Sequence, residues 1–119
     1  MEEKDCPVVQ MLGMVSGKWK IQIIGMIMMG KTLRYNEISA KLPKISDKTL
    51  SQRLRELEED GLVSRIAYRE IPPRVEYTLT ETGVELARAL VELRKVGEKL
   101  NRVDMSECEN CKAFEHYPE

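Results

Sequence analysis

"SDKTLSQRLRELEEDG", residues 46–61, is the most regular stretch of the chain. Leu50, Leu54 and Leu57 recur at i, i+4 and i+7, the spacing of one buried helix face. Ser46 offers a hydroxyl to cap the first turn, and Gly61 supplies the residue that ends a helix in a left-handed conformation. At about 100° per residue, Lys48, Gln52, Arg55 and Glu59 fall opposite the leucines, with Thr49 and Ser51 beside them. Arg53 turns towards the buried edge and reads as a structural or phosphate-pairing residue. The outward face is cationic and amide-bearing in its first half and acidic at Glu56, Glu58, Glu59 and Asp60. Such a helix points its N-terminal half, 46–55, at any polyanion, which also aims the positive end of the helix dipole at it.

The sequence on either side fixes the context. Upstream, residues 34–42 carry Ile38 and Leu42 at helical spacing and stop at Pro43, so a short helix and a tight connector precede the amphipathic one. Before it, residues 18–29 are apolar on almost every side, as expected of a helix buried in the middle of a domain, with Trp19 as a buried anchor. Pro7 opens a first short amphipathic helix that Ser16-Gly17 breaks. Downstream, residues 62–69 and 75–79 alternate apolar and polar and pair as an antiparallel hairpin across "EIPP". Thr80 caps a long last helix, roughly 81–103. The expected fold is mainly α with a small β-hairpin (α+β): a winged helix-turn-helix, whose second helix enters the DNA major groove. One domain is expected over residues 1–103, followed by a tail at 104–119.

Charge supports that reading more than the net value of −1 suggests. Residues 17–55 hold Lys18, Lys20, Lys31, Arg34, Lys41, Lys44, Lys48, Arg53 and Arg55 against Glu37 and Asp47, a local charge of +7. A basic block inside a near-neutral chain is the electrostatic footprint of a nucleic-acid binder. In the amphipathic helix, Lys48 and Arg55 suit guanine O6/N7 and Gln52 suits adenine N6/N7. Ser46, Thr49 and Ser51 are short hydroxyl donors for phosphates or bases. At the hairpin tip, Pro72-Pro73 forbid a tight two-residue turn. A stiff tip is expected to hold Arg69 and Arg74 outward against backbone phosphate or a minor groove. Lys18 and Lys20 read as surface lysines.

The last helix bears two apolar stripes, Leu86/Leu90/Leu93/Leu100 and Val84/Ala87/Val91. One serves the core of the domain and the other suggests a second copy of the chain; a single wide core-facing stripe is the alternative reading. "CPV", "GKWK", "RYNEI", "ISDKTLSQRLRELEEDGLV" and "PPRVEYTLTETG" together, in this order over about residues 6–100, resemble the HxlR-type winged-helix transcription regulators. The resemblance implies a homodimeric prokaryotic DNA-binding regulator, dimerising through its N- and C-terminal helices. Its helix 47–60 would lie in the major groove and its wing, 68–75, on the adjacent backbone or minor groove. It also implies phosphate contacts from Arg34 and Tyr35, with Lys44 in the connector beside them, although Tyr35 equally suits core packing. Cys6 stands where the family usually has a cysteine, which some members use to sense oxidants; a half-buried residue at a dimer contact is the simpler reading.

Other classes find little support. The chain begins Met-Glu-Glu-Lys-Asp, without the basic-then-apolar order of a signal peptide, and its longest apolar run is too short to span a bilayer. A cytoplasmic location without membrane association is expected. With one histidine and no phosphate loop or serine-nucleophile motif, catalysis is not expected. No resident cofactor is expected either. The one metal candidate is "CENC" in the tail, where Cys108, Cys111 and His116 supply three of the four ligands that zinc prefers. A disulfide or a ligand-free tail fits the same residues. No residue pattern marks a small-molecule effector. The alternative function is a protein-binding winged-helix adaptor that reads no DNA sequence.

Overall fold

Leu50, Leu54 and Leu57 are all buried in the hydrophobic core. The computed structural model describes residues 5–101. In chain order these form α1 (Pro7–Val15), α2 (Lys20–Gly30), β1 (Thr32–Arg34), α3 (Tyr35–Lys41), α4 (Asp47–Glu59), β2 (Val63–Tyr68), β3 (Arg74–Leu79) and α5 (Glu81–Asn101). The fold class expected from the sequence is the one observed, mostly helical with a small antiparallel sheet.

The sheet has three strands, not two, in the order β1-β3-β2. Thr32, Leu33 and Arg34 pair with Thr78, Tyr77 and Glu76, so the hairpin gains a third strand from the segment that precedes α3. Three residues carry too little alternation to read as a strand. Leu33 nonetheless reaches the core from there, and the Thr78 hydroxyl donates to the Lys31 carbonyl at 2.9 Å. Arg34 consequently leaves the helix expected over 34–42 and becomes the last residue of β1. Its N–H donates to Glu37 Oε1 at 2.8 Å, which satisfies a free donor at the start of α3. Strands β2 and β3 run antiparallel in register from Val63–Leu79 to Tyr68–Arg74.

α2 is the buried centre that its all-round apolar sequence requires: Ile23, Ile24 and Ile27 are fully buried. It begins two residues later than the sequence suggests, because Gly17 and Trp19 both have positive φ, 98° and 88°. A bulky residue in that region is strained by on the order of 1–3 kcal/mol. Trp19 offsets this by packing its half-buried ring against the core and by accepting at its carbonyl from the Ile23 N–H. Each fully buried Leu or Ile contributes about 1.5–3 kcal/mol relative to exposure.

α4 starts and ends as its sequence dictates. Ser46 Oγ accepts from the Thr49 N–H at 3.1 Å, and Gly61 takes φ 79° just beyond the helix. Thr80 then joins the sheet to α5. Its hydroxyl donates to the Gly61 carbonyl at 2.6 Å and accepts from the Gly83 N–H at 3.0 Å.

The two expected stripes of α5 resolve differently from the expected pattern. Ala87, Leu90 and Val91 are buried, with Leu86 half-buried against the same core, whereas Leu93, Val96 and Leu100 are exposed. The division therefore runs along the helix more than around it. A 21-residue helix is about 30 Å long, and its last turns pass beyond the core. α1 also leaves Val8 and Leu12 exposed.

Gly83 lies where the first turn of α5 crosses the backbone of Leu62, and a Cβ there would stand 2.1 Å from the Leu62 carbonyl oxygen. Gly83→Ala is expected to lower unfolding free energy by about 1–3 kcal/mol, measured by urea denaturation.

Candidate nucleic-acid interface

The leucine seam presses one side of α4 into the core and leaves the opposite side to solvent. Lys48, Gln52 and Arg55 are exposed there, with no ion pair or hydrogen bond among the described residues. Ser46 is exposed as well, but its hydroxyl is committed twice: it accepts from Thr49 N–H and donates to Thr49 Oγ1 at 2.9 Å. Ser46 and Thr49 thus form a cap, and Thr49 retains only part of its hydrogen-bonding capacity for a ligand. Arg53 pairs with Glu56, the structural role its wheel position suggests.

Tyr35 connects α3 to α4. Its hydroxyl lies 3.2 Å from the Asp47 carbonyl oxygen, 3.4 Å from the Asp47 carboxylate and 3.2 Å from Ser51 Oγ, and its ring packs against the core. The hydroxyl is turned to protein, not outward to phosphate, and it occupies Ser51 too. Its position in the first turn of a short helix leaves α4 as the nearest polar surface. Arg34 and Lys44 are both exposed.

At the wing the two arginines differ. Arg69 is exposed. Arg74 is folded back, its guanidinium 3.9 Å from the centre of the Tyr68 ring and 3.2 Å from the Glu70 carboxylate. The cause is register: Arg74 is the cross-strand partner of Tyr68, on the same face of the sheet, so the aromatic ring meets it before solvent does. A hydrogen bond from Tyr68 to the Glu76 carboxylate, together with the negative charge of Glu76, raises the phenol above its ordinary range. The tip itself holds a cis Ile71–Pro72 bond and a fully exposed Ile71.

Between α4 and the sheet runs a cleft of roughly 660 Å³, lined by Tyr35, Ser51, Arg55, Glu58, Glu59, Arg65, Val75 and Tyr77. Arg65 is an exposed base on this side that the alternation of β2 conceals, because it occupies the inward-facing phase of the strand. Its cross-strand partner is the buried Tyr77, so the hairpin register was the signal that locates it. Cys6 is the N-cap residue of α1, half-buried, and a free thiol. Cys108, Cys111 and His116 lie outside the described residues. Among the described residues no group of three or more His, Cys, Asp or Glu could hold a metal ion. No described helix is long and apolar enough to cross a membrane.

The model of the family described as HxlR-like helix-turn-helix matches residues 14–105. The chain belongs to that family. It is 41% identical over 103 residues to YdeP of Bacillus subtilis, an HTH-type transcriptional regulator, covering 86% of this chain and 80% of that one. Among solved structures, the redox regulator HypR in its oxidized form is 40% identical with a TM-score of 0.67, across 79% of this chain and 96% of that one. Diamide-treated YodB from B. subtilis is 34% identical with a TM-score of 0.70, across 80% and 94%. The HxlR-like chain therefore shares its winged architecture with regulators, and its α3 and α4 are consecutive helices joined by a short connector.

In this setting Tyr35→Phe removes one hydroxyl without changing ring volume. It is expected to cost about 0.5–1.5 kcal/mol of unfolding free energy, read by denaturant titration in the absence of any nucleic acid.

Proposed function

We propose that this HxlR-like protein is a sequence-specific DNA-binding transcriptional regulator, acting as a homodimer. The observation that carries this is the exposed, unpaired row Lys48–Gln52–Arg55 on a helix whose opposite side is locked by Leu50, Leu54 and Leu57. Those three side chains offer the cation and amide chemistry that pairs bidentately with guanine and adenine edges, and one α-helix fits a B-DNA major groove. Ser46, Thr49 and Ser51 edge the same surface. Arg69 at the wing, with Arg34 and Lys44 near α3, supplies charge for phosphates. Arg74 acts through Tyr68 and Glu70, stiffening the wing that carries Arg69. Regulators among its relatives, including YdeP, support the same function.

Surface chemistry supports the dimer. Leu93, Val96 and Leu100 at the far end of α5, and Val8 and Leu12 on α1, are large apolar side chains left in solvent by a single copy. Two copies joined through these helices would present two α4 helices to one duplex. A reader that binds base edges as a twofold pair protects half-sites one helical turn, about 10 bp, apart or a multiple of that. Footprinting on the DNA upstream of its own gene is expected to show two such half-sites. Gln52→Ala and Lys48→Ala are each expected to reduce discrimination against the wrong base by about 1–3 kcal/mol. Equal binding to every sequence by the unaltered protein would favour the adaptor reading.

A second reading concerns Cys6. A thiol at a helix N-terminus sits in favourable positive potential, and α1 belongs to the surface assigned to the dimer. Two related structures are of a redox regulator and of a diamide-treated protein. Diamide is expected to change operator affinity in a gel shift, and Cys6→Ser to remove that response while leaving reduced-state binding intact. Persistence of the response in Cys6→Ser would rule Cys6 out as its origin.

A further inference from the structure

The strip Lys48–Gln52–Arg55 has two flanks, and they differ. On one side Ser51 and Arg55 open into the cleft shared with the sheet and Arg65. On the other side Thr49, Arg53 and Glu56 face the corner that joins α1 to α2, and Ser16, Gly17, Lys18, Trp19 and Lys20 complete a second hollow of roughly 380 Å³ with them. A duplex seated on the strip has a phosphate wall at each edge of its major groove. The wing and Arg65 lie towards one wall. The α1–α2 corner lies towards the other.

The cations of that corner are not equivalent. Lys20 Nζ donates to the Met14 carbonyl at 3.1 Å and lies 3.9 Å from the Glu56 carboxylate. Arg53 is neutralised by Glu56. Lys18 alone of the three has no carboxylate partner among the described residues; its ammonium stands 4.8 Å from the centre of the Trp19 ring, and the residue is exposed. An aromatic face holds a lysine in place without cancelling its charge. The neighbouring Glu56 is already shared by Lys20 and Arg53, so it does not draw Lys18 inward.

We propose that Lys18, held on Trp19, is a DNA phosphate contact that grips the backbone wall opposite the wing. This rests on the DNA-binding reading above and adds the second edge of the groove to it. The contact is to backbone, so it contributes to affinity on every sequence and to none preferentially.

The test uses the full chain with two labelled duplexes, the DNA upstream of its own gene and a mixed-sequence control, in fluorescence anisotropy over a salt series. Lys18→Ala and Lys18→Glu are expected to weaken both duplexes by the same factor, several-fold for alanine and more for glutamate. Each lost phosphate contact makes the slope of log K against log salt shallower by about 0.9, or about 1.8 for a dimer that loses two. Lys18→Arg is expected to restore both affinity and slope. Thermal melting of each variant should match the unaltered protein, since Lys18 lies on the surface. Unchanged affinity and slope in Lys18→Glu overturn the proposal, and so does weakening confined to the specific duplex. If the unaltered protein binds neither duplex, the DNA-binding reading itself fails, a result distinct from a loss at Lys18 alone.

Discussion

Everything that α4 can present depends on which of its faces is buried, and the burial of Leu50, Leu54 and Leu57 settles that. A helix held by three leucines at i, i+4 and i+7 has one favourable rotation about its axis. Turning it by one residue would expose a leucine and bury Arg53 or Ser51, at a cost of several times the thermal energy. The Ser46 cap fixes where the helix starts, and the left-handed Gly61 fixes where it ends. Tyr35 then ties the helix to α3 through Asp47 and Ser51. Rotation, start and neighbour are all specified before any ligand arrives. A reader of base edges needs that rigidity.

Electrostatics works on top of this frame by pairing some charges so that others stay free. Glu56 serves Arg53 and Lys20, which keeps both at the junction of α1, α2 and α4. Glu70 and the Tyr68 ring hold Arg74 inside the wing. Left without a carboxylate partner among the described residues are, among others, Lys18, Lys48, Arg55 and Arg69. Lys48 and Arg55 lie along the exposed strip of α4, Lys18 beside it at the α1–α2 corner, and Arg69 on the wing. The net charge of −1 conceals this because acids such as Glu58, Glu59 and Asp60 gather at the C-terminal end of α4, about two turns beyond Gln52.

Much of this was legible in the sequence, and the parts that were not have identifiable causes. Local periodicity carries α4, its cap, the buried α2 and the β2–β3 pairing, because each depends on residues a few positions apart. β1 does not show, since three residues have no period and their partner, β3, lies more than forty residues away. Sequence also placed Arg74 beside the two prolines without its cross-strand neighbour. Only the register reveals that Tyr68 stands against it and captures the guanidinium. The same kind of long-range pairing hides Arg65 behind a buried Tyr77, and the commitment of the Tyr35 hydroxyl to α4.

The wing shows how such a capture can serve function instead of removing it. Two adjacent prolines limit the backbone of the tip, but they do nothing for the strands leading to it. A two-stranded ribbon is marginal alone, and here the outer end of β2–β3 lies beyond the support of β1, which pairs only as far as Glu76. The Arg74–Tyr68 stack and the Glu70 pair close that unsupported end across the strands. Arg69, the next residue after the stacked tyrosine, is then carried on a braced ribbon. One arginine is spent on stiffness so that the other can be held at a defined place, and the wing becomes an extension of the same rigid frame that begins at the leucine seam.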